Sequence, residues 1–317
     1  MNIHHSINKL THALTVTALG VATLSAQPSE NTVRIGYQKS SNFLFVRARG
    51  ELDARLKAKG IAVEWREFTS GPPLLAALSG GSLDFGETCD APGVFAQAAD
   101  APIKYVAHAK ASPRSVALLL PEKSKIKKVA KLKGKKIAYA QDSSGHYFLA
   151  KLLHDHGLAF GDIQSVLLQP ADALVALKSG TVDGWAIWDP PYASGEIKAK
   201  ARVLKDSVGV VPFYGYYLAT DKYLASNPES LPIILEELNA IEPWVKKYPR
   251  ESLRQLEEGL GLDPDVAKLY QERKERYNAL PLSDGVIASQ QAIADLFFKA
   301  GLLKKEVSVS EYVWKKP

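Results

Sequence analysis

Two windows of the chain, 99 residues apart, carry the same residues at the same spacing: Ala77, Leu78, Gly81, Asp84, Asp90 and Pro92 align with Ala176, Leu177, Gly180, Asp183, Asp189 and Pro191. A unit written twice constrains the fold strongly, because whatever the first copy forms the second must form too. In the first copy Val33-Arg-Ile-Gly-Tyr37 alternates like a half-buried strand and breaks into the polar loop Gln38–Asn42. A helix is expected over Phe43–Lys59, with Leu44, Ala48, Leu52 and Leu56 on one face and Gly60 ending it. Ala62–Arg66 reads as a strand, Thr69-Ser-Gly-Pro-Pro73 as a loop with a proline near the first helical turn. Leu74–Leu78 follows as a short helix and Ser82–Gly86 as a third strand. The second copy repeats this order with a strand at Lys135–Tyr139, a loop at Gln141–Gly145, a helix over His146–His156, a strand at Gln164–Leu168 and a helix over Asp172–Lys178. Alternating strands and helices predict an α/β fold of two lobes, each a parallel-rich sheet flanked by helices. Equivalent loops at the strand carboxyl ends then face one cleft.

Two further strands, Arg114–Leu120 and Tyr214–Ala219, are expected to cross between the lobes. Beyond Thr220 helices are expected over Leu231–Lys247, Arg250–Gly259, Asp263–Glu275 and Asp284–Ala300, punctuated by Pro228, Pro249 and Pro281. With this helical tail placed on the first lobe, that lobe comprises residues 27–117 plus 219–317 and the second comprises 118–218. Residues 1–26 read as an export signal: Lys9 is the one formal charge, and a ten-residue apolar run over 13–22 is too short for an anchor. Cleavage is expected after Ala26, and no cysteine follows that could take a lipid. A signal peptide removed on export, with no disulfide in the product, fits a bacterial periplasm.

A length of 317 residues suits about two domains, and 46% hydrophobic with 23% charged residues excludes a disordered chain. No apolar stretch approaches the roughly 20 residues a spanning helix needs. A single cysteine, Cys89, rules out an intrachain disulfide and a cysteine-based zinc site. The excess of 40 Lys+Arg over 34 Asp+Glu, net +6, reads as spread thinly over a solvated surface, with no nucleic-acid motif to focus it. Nothing matches a nucleophile elbow, a phosphate loop or a dinucleotide fingerprint. Asp142, Ser144 and His146 are neighbours in one turn, and their side chains need not converge as a triad.

Four segments carry a resemblance: Ile35-Gly-Tyr-Gln-Lys, Gly80-Gly-Ser-Leu-Asp-Phe-Gly, Phe95-Ala-Gln-Ala-Ala and Trp185-Ala-Ile-Trp-Asp-Pro. Together they resemble the aliphatic sulfonate-binding proteins of bacterial ABC importers, from about Val33 to the C-terminus. Where family members often carry Thr-Gly-Asp-x-Pro-Pro, this chain has Thr88-Cys-Asp-Ala-Pro-Gly93. The resemblance implies a type II periplasmic binding protein that captures an alkanesulfonate between its lobes for sulfur acquisition. It also implies delivery to a permease in the inner membrane driven by a cytoplasmic ATPase, with no cofactor, no metal and no catalytic residue. The doubled unit with two crossings and no oligomer seam predicts a monomer. Taurine, nitrate and thiamin pyrimidine precursors are the ligands of the wider superfamily.

A sulfonate spreads one negative charge over three oxygens and wants donors: backbone N–H groups, hydroxyls and helix amino ends. Ser143, Ser144, Gly145 and His146 stand where the second lobe's first helix should begin, with Gly145 allowing close approach to an anion and the serines offering hydroxyls. Gln38, Ser40 and Ser41 occupy the equivalent loop of the first lobe. Gly71, Thr88, Cys89 and Asp90 are the candidates from its later loops. Trp188 and Asp189 follow a strand end in the second lobe, Trp188 as an aromatic wall for an alkyl tail, while Trp185 alternates into the core. Phe213 and Tyr214 are expected on the hinge side of the cleft. His146 is the one histidine placed in the pocket, and the one pocket group expected to titrate near neutral pH. An ammonium, as in taurine, would need Glu87, Asp90 or Asp189, of which Asp90 and Asp189 are expected mainly to hold their own loops.

Overall fold

Ten strands alternate with helices in a computed structural model that describes residues 31–275 and 277–315. The export signal expected over residues 1–26 lies outside the described residues. In chain order the strands are β1 (Thr32–Gln38), β2 (Ala62–Phe68), β3 (Phe85–Cys89), β4 (Ile103–Ala109) and β5 (Val116–Leu120), then β6 (Lys136–Tyr139), β7 (Gln164–Leu167), β8 (Gly184–Trp188), β9 (Arg202–Asp206) and β10 (Gly215–Thr220). They form two five-stranded sheets, ordered β2-β1-β3-β10-β4 and β7-β6-β8-β5-β9. In each, three strands run parallel, and the other two pair antiparallel with each other through a strand that also pairs with the parallel set. The second sheet thus repeats the first. The second sheet is built from the consecutive strands β5–β9, whereas β10 completes the first sheet after the second has been built.

The shared residues of the two windows perform shared tasks. Asp84 accepts the backbone N–H of Arg34 on Oδ2 at 2.9 Å, and its own N–H donates to the Arg34 carbonyl at 2.9 Å. Asp183 does the same with Lys136, at 2.9 and 2.8 Å. Each aspartate therefore staples the start of one parallel strand to the turn before the next. Asp90 and Asp189 both accept a backbone N–H in the turn that follows, from Ala91 at 2.9 Å and from Ala193 at 3.0 Å. These are the loop-holding bonds expected of aspartates at such turns.

Apolar side chains join the two halves. One buried cluster runs from Leu74, Leu78 and Val94 of the first half through Leu118, Phe148 and Trp185 of the second to Phe297 of the tail. A second lies on the other face of the first sheet, around Phe43, Leu52, Tyr217 and Ile234. The connections between the sheets are narrow. The Ser112 N–H donates to the carbonyls of both Pro212 and Phe213 at 3.1 Å, so the outgoing and returning chains lie side by side.

Several boundaries differ from the sequence reading. The helix expected over Phe43–Lys59 is two, Phe43–Arg49 and Glu51–Lys57, because Gly50 takes a left-handed φ of 75° between them. The helix expected over Leu231–Lys247 breaks likewise into Ser230–Asn239 and Ile241–Lys247. The strand placed at Ser82–Gly86 lies at Phe85–Cys89 instead, since Ser82 still closes the preceding helix by donating to the Ala77 carbonyl at 3.0 Å. The tail also reaches the second sheet's helices. Arg273, ending the helix Pro264–Arg273, pairs with Asp189 at 2.9 Å and with Glu196 of the helix Pro191–Ala199.

The paired aspartates give a direct test. Replacing Asp183 with Ala should cost about 1.5–3 kcal/mol of unfolding free energy, the range for a hydrogen bond to a charged group. Asp84→Ala should cost more, because Asp84 also holds the Arg34 guanidinium at 2.7 and 2.9 Å. Urea unfolding of both variants checks this, and neutral substitutions would remove the stapling role.

Candidate ligand-binding site

The loops at the carboxyl ends of the parallel strands converge where the two sheets face each other. Three helices point their amino ends there. Gly71 opens the helix Gly71–Ser79, Cys89 caps Asp90–Ala98, and Ser143 caps Ser144–Asp155. Gln38, Gly71, Thr88, Cys89, Pro92, Ser143, Ser144 and Trp188 line a narrow pocket of about 10 Å³ between them. That is room for about one water molecule. Helix amino ends leave N–H groups unused by the helix and carry about half a positive charge each, so the pocket is a place for negative charge. At Gly71 only hydrogen fits, because a Cβ would collide with the Thr88 hydroxyl and the Pro92 ring.

The two serines of the second half are engaged. Ser143 Oγ donates to the Ala140 carbonyl at 2.6 Å and accepts the His146 N–H at 3.3 Å, an N-cap. Ser144 Oγ donates to Asp90 Oδ1 at 2.6 Å, which ties the second half's loop to the first half's. The hydroxyl protons expected to serve an anion are therefore spent within the protein. The amide hydrogens of Ser144 and Gly145 precede the first intrahelical bond and are the donors this helix can offer. Gly145 is required for a different reason from the one expected: a Cβ there would lie 2.7 Å from the Ala186 carbonyl oxygen, so it lets the helix close onto β8. Gln38 Nε2 reaches Thr88 Oγ1 at 3.3 Å and the Glu87 carbonyl at 3.4 Å, which fixes Gln38 across the pocket floor.

Gln38 and Trp188 also border a wider cleft of about 320 Å³. Phe68, Leu174, Pro190, Pro191 and Leu262 give it apolar walls, and Ser40 and Gln169 lie among them, with Lys39 and Glu67 the charged groups on its lining. Lys39 Nζ is held by the Leu260 carbonyl at 3.1 Å. Trp188 is 5% exposed and stands where pocket meets cleft, while Trp185 is buried completely, in agreement with their opposite registers. The turn after Trp188 is gripped from the tail: the Arg273 guanidinium bonds Asp189 and lies 3.7 Å over the Tyr192 ring centroid. Burial pushes the Asp189 carboxyl up to about 7 against the pull of Arg273. Neither Arg273 nor the cleft residues Phe68, Leu174 and Leu262 stood out in the sequence. Arg273 lies in an ordinary charged run, and the others read only as hydrophobic positions.

Other candidates fall outside both spaces. Ser41 donates to Glu87 Oε2 at 2.5 Å, and Glu87 also accepts the Asn42 N–H at 2.8 Å, so Glu87 supports the Gln38–Asn42 loop and does not border the cleft. Asp90 and Asp189 hold their turns from behind. Phe213, with φ 56°, is buried, and Tyr214 packs against His108 and Tyr216, so neither lines the cleft. His146 is the clearest correction. Its ring is 4% exposed and turns away from the pocket to stack on Tyr139 at 4.8 Å, beside Phe95, Phe160 and Phe297. Its Nδ1 accepts the Asp142 N–H at 3.2 Å, and Ser144 is bonded to Asp90, so Ser144 and His146 do not form a nucleophile–base pair. Desolvation lowers the His146 pKa to about 4, so the ring is neutral throughout the range where it was expected to titrate.

The sign of that shift makes a prediction. The unfolded chain binds a proton at His146 below about pH 6.5 and the folded chain only below about 4. Stability contributed by the neutral ring is whole above pH 6.5 and is lost as pH falls toward 4, by about 3 kcal/mol. Unfolding curves should show this loss in the wild type and a flatter profile in His146→Phe. Equal slopes would mean that the ring accepts its proton without leaving its aromatic neighbours.

Comparison with known proteins agrees with this architecture. The model of the NMT1/THI5-like family matches residues 56–251. The alkanesulfonate-binding protein SsuA from Xanthomonas axonopodis pv. citri, solved with MOPS bound, superposes with a TM-score of 0.84 at 35% identity, covering 92% of this chain and all of that one. The periplasmic aliphatic sulphonate binding protein SsuA from Escherichia coli superposes at 0.83 with 36% identity, covering 91% and 94%. The taurine-binding periplasmic protein of Escherichia coli is 28% identical over 71% of this chain and 70% of its own length. With its family model spanning 56–251 and relatives of about 35% identity along nine-tenths of its length, the chain belongs to the NMT1/THI5-like family, alongside the aliphatic sulfonate-binding proteins.

Proposed function

We propose that this chain is the periplasmic substrate-binding subunit of an ABC importer and captures alkanesulfonates between its two halves. The observation that carries the reading is the meeting of three helix amino ends at a pocket that opens, past Trp188, into an apolar cleft. The charged head group takes the pocket and the alkyl tail takes the cleft. Its role is binding rather than catalysis, with no cofactor, and it hands the ligand to a membrane permease coupled to a cytoplasmic ATPase. Helix ends contribute roughly 0.3–2 kcal/mol each. Micromolar affinity needs about 8 kcal/mol, so hydrogen bonds and burial of the tail supply the remainder.

The pocket as it stands holds about one water, so a sulfonate enters by parting the halves. The boundaries expected at 117/118 and 218/219 fall inside β5 and β10, each of which belongs wholly to one sheet. Residues 31–112 with 214–315 then move as one lobe and 113–213 as the other, about the paired strands of chain near Ser112 and Phe213. Contacts that cross between the lobes include Ser144 with Asp90, Ser70 with Gln169 at 3.3 Å, and Arg273 of the tail with Asp189 and Glu196. Taurine is the second reading, and Glu67 is the carboxylate on the cleft lining that an ammonium could meet.

Two measurements test the reading. In calorimetry, wild-type affinity should rise with alkyl chain length, since burial is worth about 0.8 kcal/mol per CH₂. Trp188→Ala should flatten that rise; equal losses for methane- and hexanesulfonate would remove Trp188 as the tail wall. Affinity for propanesulfonate should also show no steep change from about pH 6.5 to 8, because the head group keeps its charge and His146 is neutral there. Asp189, raised to about 7, acts on the site only through the turn after Trp188 and adds at most a shallow slope. A steep pH dependence would point to a ligand that itself gains or loses a proton, such as a phosphonate.

A further inference from the structure

The positive charge of this chain is not spread thinly. Between Lys123 and Lys136 stand eight lysines, and with Glu122 the segment 121–136 carries a net +7, more than the +6 of the whole chain. Lys123, Lys125, Lys127, Lys128, Lys131, Lys133 and Lys136 are exposed. Only Lys133 of the eight forms an ion pair among the described residues, with Asp162 at 3.1 Å. The backbone beneath them is anchored. Val129 and Leu132 are buried, and Arg202 donates to the carbonyls of Ser124 and Ile126. The segment therefore presents a fixed field of ammonium groups around an open depression of about 580 Å³, lined by Lys123, Lys125, Lys131 and Lys135.

We propose that this field is a docking surface for a bilayer rich in anionic lipid headgroups; the proposal rests on the reading of the chain as the binding subunit of a membrane importer. Three observations select a lipid surface. The segment contains lysines and no arginine, so it offers hydrated point charges suited to a diffuse negative layer rather than planar forks for single phosphates. It contains no aromatic residue on which a nucleic-acid base could stack. It also lies at the amino-terminal edge of β6 and β8, whereas the ligand pocket lies at their carboxyl ends. A membrane held there leaves the cleft open, so the attraction keeps the protein beside its permease without competing with the ligand.

The test is co-sedimentation of the mature chain with phosphatidylcholine vesicles, with and without roughly 30% phosphatidylglycerol, at low and high salt. The wild type should bind the anionic vesicles only, and release at about 0.5 M salt. The variant carrying Lys123→Gln, Lys125→Gln, Lys127→Gln and Lys128→Gln should partition up to roughly 1000-fold less, given the strength of lysine attraction to such surfaces. Its affinity for propanesulfonate should be unchanged, which also shows that it is folded. Equal partitioning of variant and wild type, equal binding to neutral vesicles, or no binding by the wild type would each overturn the proposal. So would tighter binding to single-stranded DNA than to anionic vesicles at matched salt. If the wild type binds vesicles as expected but binds no sulfonate, the ligand reading fails and the surface stands.

Discussion

Short helices that begin immediately after parallel strands aim their amino ends at a common point, and three such ends meet between the two sheets of this protein. Aligned dipoles repel when their like ends approach. The chain answers this with its own carboxylate: Asp90 sits in the first turn of one helix, accepts the neighbouring N–H of Ala91 and receives the Ser144 hydroxyl from the opposite half. The bond that balances charge at the helix ends is therefore also a bond that holds the halves together. The proposed anion site and the contact that joins the halves share the same few atoms.

Around that point the site divides by polarity. Amide hydrogens and the Thr88 hydroxyl surround the pocket, and rings and aliphatic chains surround the cleft. A ligand with a compact anionic head and an apolar body satisfies both at once, while sulfate or a free alkane satisfies one. Trp188 is the hinge of this division because it borders both spaces, and its position is set from three sides. β5 pairs with it at Val116, the Asp189 N–H donates to the Ser115 carbonyl, and Arg273 holds the Asp189 carboxyl.

The duplicated α/β unit was legible because its identities are structural: Asp84 and Asp183 make the same backbone bonds, and Asp90 and Asp189 each accept a backbone N–H of the turn that follows, at different positions. Trp188 and Trp185 separated correctly by strand alternation. Of the candidates expected at strand ends and helix starts, Gln38, Gly71, Thr88, Cys89, Ser143 and Ser144 border the narrow pocket. What sequence could not supply was direction. A histidine on the first turn of a helix can face a cleft or a core, and His146 faces four aromatic rings whose partners come from three distant segments. Serine donors cannot be assigned before their acceptors are known, and Arg273 gains its role only when the tail folds across the second half. The lysine field, by contrast, was countable and was hidden by averaging charge over the whole chain.

A structure of the protein crystallised with propanesulfonate tests the central claim most directly. The account predicts the sulfonate oxygens within hydrogen-bond reach of the amide groups at Gly71 and Ser144, in a pocket widened from its present volume, with the propyl chain against Trp188. A sulfonate seated on Lys39 in the wide cleft, with the space between the helix ends unchanged, would contradict it.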